Sequence, residues 1–274
     1  FGASGSDIGA FRIPCTFAKM AFNDPIVYPG QPTRSHLHTF FGNVDVSANS
    51  TASSLASTGN STCAGGIANR SSYWVPSIID IATGKPIAPS GSLWYYKTAY
   101  GGVRPADVKA MPVGLRMIAG SMNATASQQD IGIHWECHNT GASRGATIPT
   151  DCQVGDTVSM SIGFPQCWDG VNLDSANHQS HMAFPTGNGC PSSHPVPLPE
   201  LSLHIHYKVN TLGEARTWRL SSDHAGNAAG LSIHADFFEG WNRSVMNTFV
   251  TNCLNPSKDC HAYLLGNGTT LVGE

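Results

Sequence analysis

Thr157-Val158-Ser159-Met160-Ser161-Ile162 alternates polar and apolar side chains without a break. Successive side chains of a strand point to opposite faces. The stretch therefore reads as a strand with one buried and one polar face. Other short strand-like runs, spaced by turn signals, fall at 74–81, 93–100, 113–119, 132–137, 201–209, 215–220 and 263–265. No βαβ rhythm connects them. One clear helix follows Trp241, where Val245, Met246, Phe249, Val250, Cys253 and Leu254 recur at helical spacing. Asn242 is its expected N-cap, and Pro256 helps to end it. A weaker helix is expected at 51–57. Long loops fill 20–70 and 165–200. With no linker and no internal repeat, residues 1–274 read as one mostly-β domain. The expected architecture is a β-sandwich of jelly-roll type with long loops, one C-terminal helix and four disulfides.

Composition agrees. Charged residues make up only 12% of the chain, and Gly and Pro number 29 and 17. Such a chain is rich in turns and poor in long surface helices. The net charge of −3 comes without a basic run, which argues against a nucleic-acid partner. No apolar run approaches a membrane span of about 20 residues. The chain opens in small polar residues, as a mature protein does after signal cleavage.

The eight cysteines are Cys15, Cys63, Cys137, Cys152, Cys167, Cys190, Cys253 and Cys260, and none forms a C-x-x-C pair. Zinc ribbons and thioredoxin motifs are thereby disfavoured, and disulfides in an oxidising compartment are expected. Eight cysteines allow 105 connectivities. Pairing of sequence neighbours, 15–63, 137–152, 167–190 and 253–260, is the favoured one, because short separations pin local loops. Sequons begin at Asn49, Asn60, Asn69, Asn123, Asn242 and Asn267, which fits a secreted glycoprotein.

Twelve histidines are many for this length, and they cluster. His36 and His38 form an H-x-H that puts two imidazoles on one face of an extended segment. That pattern suits one metal ion or one substrate, so both are candidate ligands of a divalent metal. The plain alternative is a pair of hydrogen-bonded loop histidines. His178 and His181 share one side of a turn, and His194 follows in Cys190-Pro191-Ser192-Ser193-His194. A Cys167–Cys190 bridge would bring them near Trp168, Asp169 and Asp174. His204 and His206 form a second H-x-H on an expected strand and face one side; the plain alternative is that they decorate a solvated surface. Asp223 and His224, then His234 and Asp236 beside Phe237, Phe238 and Trp241, complete the set. Carboxylates among histidines serve as metal ligands or as acid–base pairs. Aromatic residues beside them can stack on sugar rings, or simply fill the core. Tyr95, Tyr96, Lys97 and Arg116 would suit an anionic group on a substrate.

Taken together, several segments resemble a secreted family of fungi and bacteria catalogued as a domain of unknown function. The segments are Phe11-Arg12-Ile13-Pro14-Cys15, Asp24-Pro25-Ile26-Val27-Tyr28-Pro29-Gly30, Ser35-His36-Leu37-His38-Thr39-Phe40-Phe41-Gly42-Asn43, Ser72-Tyr73-Trp74-Val75-Pro76 and Gly114-Leu115-Arg116-Met117-Ile118-Ala119-Gly120. Cys167-Trp168-Asp169-Gly170, the stretch 178–197, and His234-Ala235-Asp236-Phe237 with Gly240-Trp241 complete the match. Some members carry WSC or cellulose-binding modules, which implies polysaccharide surroundings by association alone. The motif histidines are His36, His38, His178, His181, His194 and His234. His204, His206 and His224 fall outside the motifs.

The leading expectation is a secreted, monomeric carbohydrate-active enzyme, most simply a glycoside hydrolase acting on an extracellular polysaccharide. Its acid–base groups would come from Asp169, Asp174, His178, His181, Asp223, His234 and Asp236. Substrate would be held by His36, His38, Tyr96, Lys97, Arg116, Trp168, His194 and Trp241. The alternatives are a lyase on a uronate polymer, a copper or zinc enzyme with His36 and His38 as ligands, and a non-catalytic glycan-binding wall protein. The chain does not begin with His, which argues against a terminal histidine brace.

Overall fold

The computed structural model describes residues 8–140 and 144–271, without the side chain of Asp130. The small polar residues 1–7 lie outside it. Two large sheets form the body of the protein. The first has six strands in the order Asp259–Ala262, Ala10–Pro14, Gly91–Lys97, Glu200–Lys208, Thr157–Gly163 and His134–Cys137. The second has five, in the order Phe17–Ala21, His38–Gly42, Ser72–Pro76, His234–Phe238 and Arg116–Gly120. Pairing inside both sheets is antiparallel, except that Ala10–Pro14 runs parallel to Asp259–Ala262.

The inner faces of the two sheets pack together. Trp94 of the six-stranded sheet meets Phe41 at 5.1 Å and Tyr73 at 5.5 Å between ring centroids, both from the five-stranded sheet. Phe164 and Phe237 meet lower down at 6.4 Å. The alternating stretch behaves as its pattern requires. Val158, Met160 and Ile162 are buried in the core, and Ser159 and Ser161 lie on the opposite face. All four disulfides join sequence neighbours, Cys15–Cys63, Cys137–Cys152, Cys167–Cys190 and Cys253–Cys260, as expected.

Other elements depart from expectation in informative ways. The run at 74–81 divides into Ser72–Pro76 and Ile78–Asp80, which belong to different sheets. The strand expected at 263–265 lies earlier, at Asp259–Ala262. Much of 215–220 is a 3-10 turn, Glu214–Thr217, leaving Trp218–Leu220 as the strand. The helix after Trp241 is α from Arg243 to Phe249 and then widens to a π turn at Val250–Leu254. Asn242 caps it by accepting from the backbone amides of Ser244 and Val245. The short helix Ala52–Ser57 carries a capping box from Thr51 and Ser54.

The outer face of the five-stranded sheet is not left to solvent. The segments on either side of the His38–Gly42 strand, 22–37 and 43–57, fold over that face, and Ile26, Val46 and Leu55 pack onto Phe40, Trp74 and Phe238 as a second apolar cluster. This cover matters for function, because it buries the polar groups carried on the same face. No helix among the described residues is long and apolar enough to cross a membrane.

Candidate metal centre

The centre forms where two strands of the five-stranded sheet begin. His38 opens one strand and pairs with Pro76. His234 opens another and sits two residues before Asp236, the partner of Trp74. Strand alternation puts His38, His234 and Asp236 on the outer face, beneath the covering loop. His36 reaches back from the residues leading into the His38 strand. Its ring centroid lies 4.2 Å from that of His38 and 5.1 Å from that of His234, and His38 and His234 are 6.1 Å apart. One ring nitrogen from each of the three falls within 4.8 Å of the other two, and among the described residues this is the group able to hold a metal ion.

Hydrogen bonds fix the tautomers. His38 Nδ1 lies 2.9 Å from the Asn23 carbonyl oxygen, and His234 Nδ1 lies 2.7 Å from that of Ser232. A carbonyl can only accept, so both Nδ1 atoms carry protons. Nε2 of each neutral ring then keeps its lone pair. Ligating histidines are typically oriented by this kind of N–H to carbonyl bond. His36 Nε2, His38 Nε2 and Asp236 Oδ2 are buried and have no hydrogen-bond partner among the described residues. Leaving one such group unpaired costs about 1–3 kcal/mol, so three together call for an occupant.

Burial sets the charges. It pulls the His36 imidazole down to about 3, with His234 adding to the effect. It pulls His234 down to about 4 and His38 well below the usual imidazole range. A metal needs unprotonated imidazoles, and these three are unprotonated at neutral pH. Two buried carboxyls adjoin them. Asp24 is pushed up to about 6 by burial, despite accepting from the amides of Ile26 and Val27. Burial and the nearby Asp24 raise Asp236 well above the usual carboxylate range.

The centre has a polar rim. His178 Nδ1 is 2.9 Å from Asp174 Oδ1, and Arg116 donates to Asp174 Oδ2 at 3.3 Å. The side chains of Arg116, Asp174 and His178 keep 29%, 22% and 26% exposure, so this edge meets solvent. His178 stands close enough to Asp24 to favour its ionised form. The His178 backbone has φ of 59°, a left-handed conformation costly for a side chain with a Cβ.

The family model described as Domain of unknown function (DUF1996) matches residues 24–241. The chain belongs to the DUF1996 family. The matched span begins at Asp24 and includes all three imidazoles. Neither a curated protein nor a solved structure matches the chain.

In this DUF1996 chain the remaining candidate residues divide by position. His36, His38, Arg116, Asp174, His178, His234 and Asp236 gather at the centre or its rim. His181 is buried beside it with both ring nitrogens engaged, Nε2 with the Arg116 carbonyl and Nδ1 with Ser175 Oγ. His194 is likewise bound at both nitrogens, by Ser180 and Ser193. These two rings tie down the 165–200 loop and offer no free lone pair. Asp169 accepts from the amides of Val171 and Asn172, and Trp168 donates to the Asn172 carbonyl. Asp223 accepts from Leu220, Gly230 and Ser232 and organises the loop that presents His234. Tyr96 and Trp241 lie in the core, where Trp241 Nε1 donates to the Tyr96 hydroxyl at 2.9 Å. Phe237 and Phe238 are buried too. Lys97 sits on the other sheet, paired with Glu200. Asp24 was not singled out from the sequence. Its signals are its place at the head of one segment that carries the family resemblance and the Asp-Pro step opening a long loop, neither of which speaks of burial.

Proposed function

We propose that this DUF1996 chain is a secreted, monomeric, metal-dependent enzyme acting on an extracellular polysaccharide, with His36, His38 and His234 holding the metal. The convergence of three buried, unprotonated ring nitrogens carries the reading. Imidazole ligands suit zinc or copper. Arg116, Asp174 and His178 line the open edge, where a substrate group could be bound and oriented. Four disulfides favour an oxidising, extracellular setting. The wall-binding modules of related chains favour a glycan.

A second reading keeps the carboxylate chemistry of a glycoside hydrolase. It rests on Asp24 and Asp236, two buried carboxyls close enough to influence each other. Hydrolysis of a glycoside needs such a pair, one of them protonated.

One experiment separates the two. The protein is loaded with zinc or copper, dialysed, analysed for bound metal and assayed on a polysaccharide panel before and after chelation. The first reading expects about one ion per chain and activity that disappears with the ion. No stoichiometric metal overturns it. Turnover that survives chelation but not Asp236→Asn supports the second reading instead. Glycan binding without any turnover overturns both.

A further inference from the structure

We propose that the outer face of the six-stranded sheet is a second ligand site, a groove for an uncharged oligosaccharide. It lies on the opposite side of the sandwich from the imidazole centre and does not depend on that centre holding a metal.

The strand pattern creates the groove. Strands with one face in the core present their alternate residues on the other. In the register, His204 pairs with Ser161, and Ser161 with His134, giving a polar row across three strands. Ser202 stands beside Tyr95, and Glu200 beside Lys97. A solvated sheet face normally leaves such side chains in water. Here Ser161 and Gln166 are 1% exposed, Ser202 5% and His134 9%. Loops carrying Tyr100, Arg144 and Phe184 rise around them and enclose about 400 Å³. A second cavity of about 430 Å³ adjoins it, and both are lined by Lys97, Tyr100 and His204. Each volume falls within the range of small-molecule sites, and two in series suit a chain of units.

The chemistry of the walls selects the ligand. Ser202 Oγ, His134 Nε2 and Gln166 Oε1 are buried in the wall without hydrogen-bond partners among the described residues. They offer both donors and acceptors, as hydroxyl groups require. The cations are already matched. Lys97 lies 3.1 Å from Glu200, Arg12 lies 2.6 Å from Asp259, and Arg144 lies 3.5 Å from Glu136. An anionic ligand would have to compete with the partner carboxylate for each cation, and for Lys97, the cation shared by both cavities, that pair is largely buried. Burial holds the His204 ring neutral, down to about 3, so it adds no positive charge. Phe184 supplies flat apolar surface of the kind a sugar ring stacks on, as does the face of Tyr100 turned away from Lys97, which lies 4.7 Å over its ring. A neutral, hydroxyl-rich chain satisfies all of these groups together.

The test is calorimetric titration of the intact protein with cello-, xylo-, manno- and chitohexaose, and with a uronate hexamer as the charged comparison. At least one neutral hexamer is expected to bind at one site per chain, and the uronate is not. Tyr100→Ala and Ser202→Leu, each checked for folding by circular dichroism, are expected to weaken binding tenfold or more. Tyr100 lies in a surface loop, so it serves even if Ser202→Leu fails to fold. His36→Ala, at the other site, is expected to leave this binding unchanged. Saturable binding by none of the neutral hexamers overturns the proposal. Preference for the uronate, or binding lost in His36→Ala but kept in Tyr100→Ala, overturns it as well.

Discussion

At the residue scale, what separates one histidine from another is the occupation of its ring nitrogens. His38 and His234 each spend one nitrogen on a backbone carbonyl and keep the other free. His181 spends both. The consequence is measurable. His234→Ala is expected to abolish stoichiometric metal while the fold survives. His181→Ala is expected to keep metal but to lose roughly 2–4 kcal/mol of stability, read as a lower melting temperature, because a buried ring leaves a cavity and the Arg116 carbonyl loses its partner. If His181→Ala also abolished metal in folded protein, the division between ligand and prop would be wrong. A second residue makes a pH prediction. Burial pushes Glu239 up to about 7, although it accepts from Gly114 and Trp241. Its unfolded value is near 4.3. The folded state therefore holds the proton more tightly, and stability falls as pH rises from about 4.3 to about 7. The span corresponds to a loss on the order of 3 kcal/mol. Denaturant melts of wild type and Glu239→Gln across this range should show a shallower pH slope in the variant, and equal slopes would refute the assignment.

At the element scale, the strands with one polar face were the most legible, although part of the fully buried strand Ser72–Pro76 was also anticipated at 74–81. Thr157–Gly163 announced itself by alternation, and Glu200–Lys208 alternates as well. The strands that build the centre were not legible. His38–Gly42 and His234–Phe238 are buried at every position, because the flanking segments 22–37 and 43–57 cover the face that would otherwise be solvated. A strand buried on both faces shows no period of two, so its local pattern cannot distinguish it from loop or helix. The H-x-H and H-x-D spacings were visible, but their convergence depends on a sheet register that no local pattern carries. The Gly120 position tests that register. Gly120 pairs with His234 at φ of 80°, and an added Cβ would lie 2.6 Å from the Ile233 carbonyl oxygen. Gly132 has the same φ with nothing within 4 Å. Both alanine variants incur backbone strain of about 1 kcal/mol or more. Only Gly120→Ala should also displace the His234 strand and weaken metal affinity, measured by competition with a chromophoric chelator. Equal affinity in the two variants would contradict this placement of His234.

At the scale of the whole molecule, the disulfides differ in what they hold. Cys15–Cys63 closes a loop of 48 residues, and Cys253–Cys260 one of 7. On the chain-entropy account, closing the longer loop contributes roughly 4 kcal/mol and the shorter roughly 2 kcal/mol. The longer loop carries His36 and His38, together with Ile26, Val46 and Leu55, which pack over Phe40, Trp74 and Phe238 on the same sheet face. The shorter one joins the π turn to the edge strand Asp259–Ala262, at the far margin of the other sheet. Stability and site geometry are thus coupled at one bridge and separate at the other. Replacing Cys15 and Cys63 by serine should lower the denaturation midpoint more than replacing Cys253 and Cys260. It should also weaken metal binding, since the segment that presents two imidazoles gains freedom that binding must then remove. The Cys253/Cys260 variant should retain the affinity of wild type despite its lower stability. A loss of affinity that tracks stability alone, equal per kcal/mol in both variants, would show that the bridge secures the fold and not the site.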